Sequence, residues 1–158
     1  MKKIFMLVFV YIILVYVLYA GIEAITYEEV GKENQEAWHR LSLSTSTYHI
    51  LVWYVFMPII TLFPAIMFYA MKKNIKTTFR LLLFSVGVYF LSVVLEDYLF
   101  FVFSSREFYT ATWFTWINLG FMKVPDFYIF DLILALILIL ISVFGKKIFK
   151  FKRLNIII

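Results

Sequence analysis

The sequence predicts an all-α integral membrane protein: a single domain over residues 1–158, built as a bundle of four transmembrane helices with both termini cytoplasmic. Three observations predict it. Hydrophobic residues make up 64% of the chain and charged residues 16%, against roughly half and a quarter in an average soluble protein. Four apolar stretches are each long enough to cross about 30 Å of hydrocarbon as a helix. Eleven of the fifteen Lys and Arg fall on one side of those stretches, and this bias sets the orientation of spans in a bilayer.

The first span, about residues 4–24, follows Lys2 and Lys3. A basic start and an apolar run also describe a secretory signal, but a run of about 17 residues exceeds the usual length of about 7–15. It is therefore kept as a span. The second, about 48–70, is separated from the third, about 81–103, by Lys72, Lys73, Lys76 and Arg80. The fourth, about 126–144, is followed by Lys146, Lys147, Lys150, Lys152 and Arg153. The opposite face holds only Lys32, Arg40, Arg106 and Lys123. The expected location is the cell membrane, crossed several times, with the basic segments facing the cytoplasm and anionic lipid head groups.

All ten acidic residues (Glu23, Glu28, Glu29, Glu33, Glu36, Glu96, Asp97, Glu107, Asp126 and Asp131) lie in the outward loops or the outward halves of the spans. The positive-inside rule concerns Lys and Arg and does not require this. The outward face therefore carries the chemistry.

Composition also excludes. The chain has no cysteine, which removes disulfides, thiolate metal sites, iron–sulfur clusters and cysteine nucleophiles. No G-x-S-x-G, phosphate-binding loop or dinucleotide fingerprint is present, so hydrolase and nucleotide chemistry have no support. The net charge of +5 is spent on orienting spans, and nucleic acid is not an expected partner.

Helical spacing brings residues three and four apart onto one face. Counting back from Glu96 gives Ser92, Tyr89 and Ser85; from Glu23, Tyr19 and Tyr16; from Asp131 forward, Ala135, Leu138 and Ser142. His49 opens the second span above Trp53, Met57 and Thr61. Such polar or small faces turn inward, where interhelical hydrogen bonds satisfy them.

The stretch "SVVLEDYLFFVF", residues 92–103, sets Glu96 and Asp97 side by side within an apolar run. Ionisable residues in a span usually face the bundle interior or a wet cavity and are functional candidates. The bland alternative ends the third span at Leu95, leaving the pair at the interface, but "YLFFVF" is too apolar for an exposed loop. Glu96 and Asp131 are expected at similar depth, with His49 near the outer boundary. Neighbouring carboxyls cannot both ionise cheaply in a dry site, so one keeps a proton it can donate. Glu96, Asp97 and Asp131 are the candidate catalytic acids. No cofactor is expected; a divalent cation held by Glu96, Asp131 and His49 is the alternative, since such ions accept oxygen and imidazole ligands.

The outward loop "SSREFYTATWFTWINLGFMKVP" is rich in aromatic residues. Trp and Tyr favour the membrane interface, and here they also suit a cover over an acidic pocket. Gly120 and Pro125 punctuate the loop before Asp126 restarts helix. The candidate ligand-binding residues are His49, Trp53, Tyr89, Ser92, Trp113, Trp116 and Asp126.

The element "LEDYLFFVF" resembles the acid-pair segment of the small membrane carotenoid (lycopene) cyclase domains. The order that follows, an outer loop with tryptophan, Gly120 and then "VPDFY", is similar too. The likeness covers about a quarter of the chain; the proline that usually precedes the acids and the Gln-Thr that follows are missing. It implies acids that protonate a polyene end group. Three functional classes follow: a non-enzymatic protein binding a lipid-like molecule or partner helix in an outward acidic pocket, an acid–base enzyme acting on an isoprenoid or lipid, and an ion or proton carrier. Carriage ranks last, because the cytoplasmic halves of the spans become apolar.

Overall fold

The computed structural model describes residues 2–28, 50–104, 115–120 and 123–154. Among these, four helices are long and apolar enough to cross a membrane. Helix α1 is Lys2–Thr26. Helix α2, Met57–Lys72, continues from a wider π turn at Val52–Phe56. Helix α3 is Ile75–Phe103 and α4 is Asp126–Leu154. Between the last two lie short strands β1, Trp116–Asn118, and β2, Lys123–Pro125.

The π turn has a local cause. Pro58 has no N–H to offer the carbonyl of Tyr54, four residues back, so the ordinary ladder cannot form there. The backbone widens just before it, and Met57 N–H reaches the Val52 carbonyl instead. Such single π turns are frequent at functional sites. Helix α2 ends at Lys73, whose backbone is left-handed (φ 46°) and whose N–H bonds to the Tyr69 carbonyl.

Asn74 then starts α3 at once. Its side chain accepts from Thr77 N–H at 3.1 Å, and its carbonyl accepts from the Thr78 hydroxyl at 2.9 Å. The helix therefore begins ahead of the apolar stretch expected from about Leu81. Lys76 and Arg80 are good helix formers and Asn74 supplies the N-cap, so α3 begins six residues earlier than apolarity suggests. The fourth helix likewise runs past Phe144 through its basic end.

Helix α3 is the central post and packs against the other three. It runs parallel to α1, with Phe5 against Phe84 (centroids 4.8 Å) at one end and Tyr27 against Phe100 (5.9 Å) at the other. It runs antiparallel to α4. A Cβ placed on Gly87 would lie 2.9 Å from Ile139 Cγ1 and 3.1 Å from the Ala135 carbonyl oxygen, so the missing side chain sets the closest approach of α3 and α4. Small residues serve this purpose where lipid removes the hydrophobic drive between helices. At the basic end, Arg80 donates to the carbonyls of Ser142 and Val143 at 2.8 Å each and covers the Phe5 ring at 5.6 Å. One side chain thus joins α1, α3 and α4.

Away from this core the helices present apolar surface. Leu7, Leu14, Leu18 and Ile22 of α1, and Leu136 and Ile137 of α4, are exposed. Apolar surface on this scale is the pattern of helices solvated by lipid.

The aromatic loop differs from the expected irregular cover in one respect. Trp116, Ile117 and Asn118 pair antiparallel with Pro125, Val124 and Lys123. Aromatic and β-branched residues favour this pairing. Gly120, at φ 86°, supplies the positive φ of the turn, and its N–H bonds to the Asn118 side chain at 3.0 Å.

Candidate functional site

The face through Ser85, Tyr89, Ser92 and Glu96 does turn inward. Ser85 and Ser92 are fully buried, Glu96 is 3% exposed and Tyr89 half-buried. Ser92 satisfies itself by donating to the Val88 carbonyl at 2.7 Å, which is common for hydroxyls in apolar helices. Opposite, on α1, Tyr16 is fully buried and hydrogen-bonds to Thr61 of α2 across 3.3 Å.

Tyr16, Tyr19, Trp53 and Tyr89 form one aromatic group. Their ring centroids are 6.3 Å apart for Tyr16 and Trp53, 6.2 Å for Tyr16 and Tyr89, and 5.8 Å for Tyr19 and Trp53. The Tyr89 hydroxyl donates to the Trp53 carbonyl at 3.3 Å. That carbonyl belongs to the π turn, where the ladder is disturbed and a side-chain donor can reach the backbone.

Above the rings sit the acids. Glu23 of α1, half-buried, hydrogen-bonds through its carboxyl to the carboxyl of Glu96. An ionised carboxylate only accepts, so this bond needs a proton on one of the two. One Glu96 oxygen, Oε1, is buried and has no hydrogen-bond partner among the described residues. An unmet acceptor in such surroundings costs about 1–3 kcal/mol.

Asp97 behaves differently. One residue on, it points about 100° around the helix and accepts a hydrogen bond from the hydroxyl of Tyr128, which is buried on α4. It ties two helices together, whereas Glu96 keeps an acceptor in hand.

The expected grouping sets Glu96 with Asp131 and His49. The carboxyls of Glu23 and Asp97 neighbour Glu96, and Asp131, half-buried, neighbours Tyr89. His49 and Trp113 lie outside the described residues. Among the described residues no three Asp, Glu or His side chains form a group able to hold a metal ion.

Trp116 packs over Ala24, Tyr27, Phe100 and Phe101, one layer beyond the acids. Asp126 is exposed and occupied at the start of α4, accepting from the Thr115 hydroxyl and, at 2.8 Å, from Phe127 N–H. Its position is that of a carboxylate at a helix N-terminus, where it is favoured.

Glu23, Tyr16 and Tyr128 are the members of this arrangement that the sequence did not single out as site residues. Glu23 stood in a recognised stripe with Tyr19 and Tyr16. What was missing was the neighbour.

Comparison with known proteins gives no match: no family model, no curated protein and no solved structure is similar to this chain.

Proposed function

We propose that this chain is a multi-pass protein of the cell membrane, both termini cytoplasmic, that holds a lipid-like molecule at the outward end of its bundle. Glu96 and Glu23 take the polar end of that molecule, and Tyr16, Tyr19, Trp53 and Tyr89 take part of its apolar body. The observation that carries this reading is the buried Glu96 oxygen left without a partner among the described residues. Buried polar groups are normally hydrogen-bonded, and a ligand donor would complete this one. The orientation rests on the basic bias of the sequence. Native mass spectrometry of protein extracted gently from membranes tests the reading: a bound lipophile of defined mass supports it. A dimer with no small molecule would favour a partner helix instead.

A second reading is acid–base catalysis on an isoprenoid or lipid. It is favoured by the Glu23–Glu96 hydrogen bond, which keeps a transferable proton beside aromatic rings, the surroundings in which a polyene would be protonated. Product formed from an added isoprenoid, and absent with Glu96→Gln, would favour it over simple binding.

A further inference from the structure

We infer that the basic end of the bundle is a site for an anionic phospholipid, whose phosphate lies among lysines supplied by α1, α2 and α3. This end is opposite the acids, and the inference is independent of the ligand reading above.

Convergence is the first ground. Arg80 of α3 donates to the Ser142 and Val143 carbonyls of α4 and covers the Phe5 ring of α1. Lys76 lies one turn nearer the start of α3, on the same face as Arg80. Lys2 and Lys3 precede Phe5 in α1, and Lys72 and Lys73 stand at the end of α2, directly before α3. All five lysines are exposed. Three separate segments thus bring ammonium groups to one end of the bundle, and Arg80 ties α1, α3 and α4 together beside them.

Charge is the second. No Asp or Glu occurs in residues 1–22, 37–95 or 132–158, the stretches that build this end. Orienting the spans needs an excess of Lys and Arg on one side but does not need that side to be free of acids. Like charges gathered without a carboxylate repel one another, and an anion offsets this. An ammonium only donates hydrogen bonds, and phosphate oxygens accept them.

The third ground separates a lipid from a soluble anion. Met71, Ile75 and Phe79 interleave with these lysines and are 67%, 70% and 59% exposed. Lysine stems lie along such apolar surface while the ammonium reaches the head-group level. A molecule with a charged head and hydrocarbon chains uses both kinds of side chain, whereas free phosphate uses only the lysines.

The test uses the full chain in neutral detergent, titrated with phosphatidylglycerol and with phosphatidylcholine, and counts bound lipid by native mass spectrometry. Wild type is compared with Lys3→Gln, Lys76→Gln and Lys76→Arg, and with Lys123→Gln at the other end of the bundle. Each basic residue near an anionic lipid surface is worth roughly fivefold in binding. Wild type should therefore bind phosphatidylglycerol at least about tenfold more tightly than phosphatidylcholine. Each Gln variant should lose about fivefold for phosphatidylglycerol and nothing for phosphatidylcholine. Lys76→Arg and Lys123→Gln should match wild type. Equal affinity for the two lipids, or a preference undiminished in both Gln variants, overturns the inference. Displacement of phosphatidylglycerol by inorganic phosphate at equal concentration also overturns it, because the site would then read a free anion.

Discussion

The hydroxyl of Tyr128 donates to the carboxylate of Asp97, joining α4 to α3 beside the Glu23–Glu96 pair. This bond gives Asp97 a partner on a neighbouring helix, whereas Oε1 of Glu96 has none among the described residues. Tyr128→Phe keeps the ring and removes the bond. Interhelical hydrogen bonds in membrane proteins are worth about 1 kcal/mol. The variant should therefore unfold a few degrees below wild type in detergent while keeping any bound lipophile. Loss of the ligand at unchanged thermal stability would place Asp97 in the binding site instead.

Gly87 makes a sharper packing prediction. A methyl there meets a movable atom, Ile139 Cγ1 at 2.9 Å, and immovable ones, the Ala135 oxygen and Ile139 nitrogen, both at 3.1 Å. Gly87→Ala should destabilise by about 1–3 kcal/mol, the usual cost of overpacking. Adding Ile139→Ala should relieve only the side-chain clash, leaving the double variant less stable than Ile139→Ala alone. Thermal unfolding of the four proteins checks it, and equal stability of wild type and Gly87→Ala would contradict the close approach.

The four helices were legible in the sequence because apolar runs of about 20 residues have few other uses. The polar stripes were legible as well, since helical spacing alone sorts Ser85, Ser92 and Glu96 onto one face. The partner of Glu96 was not, for a traceable reason. Apolarity placed the start of α3 at Leu81, but Asn74 caps it and Ile75 begins it. Measured from the true starts, Lys2 and Ile75, Glu23 and Glu96 stand equally far along two parallel helices. Counting from the apolar start at Leu81 does not reveal this equivalence, and the expectation sets Glu96 with Asp131 and His49 instead. The π turn before Pro58 and the pairing of β1 with β2 depend on contacts between segments, which a single-sequence pattern does not report.

Orientation is tested by labelling, which the absence of native cysteine keeps free of background. Leu119 and Lys76 are exposed at opposite ends of the bundle. In intact cells Leu119→Cys should react with an impermeant maleimide, and Lys76→Cys should react only after the membrane is opened. Labelling of Lys76→Cys in sealed cells would reverse the topology and move the acid pair to the cytoplasmic side.

The most direct test of the central claim, that Glu96 is kept for a ligand, compares what co-purifies with wild type, Glu96→Gln and Glu96→Leu at matched expression and monodispersity. Glutamine preserves shape and part of the hydrogen bonding, whereas leucine removes an unmet acceptor that costs stability. Both variants should fold, with Glu96→Leu as stable as wild type or more so. Quantitative mass spectrometry of the extracted lipids should find a defined lipophile with wild type, depleted about tenfold or more in both variants, as expected when a buried hydrogen bond to the ligand is lost. Identical lipid content in all three proteins, or none in any, would contradict the claim and leave Glu96 as an acid that the bundle merely tolerates.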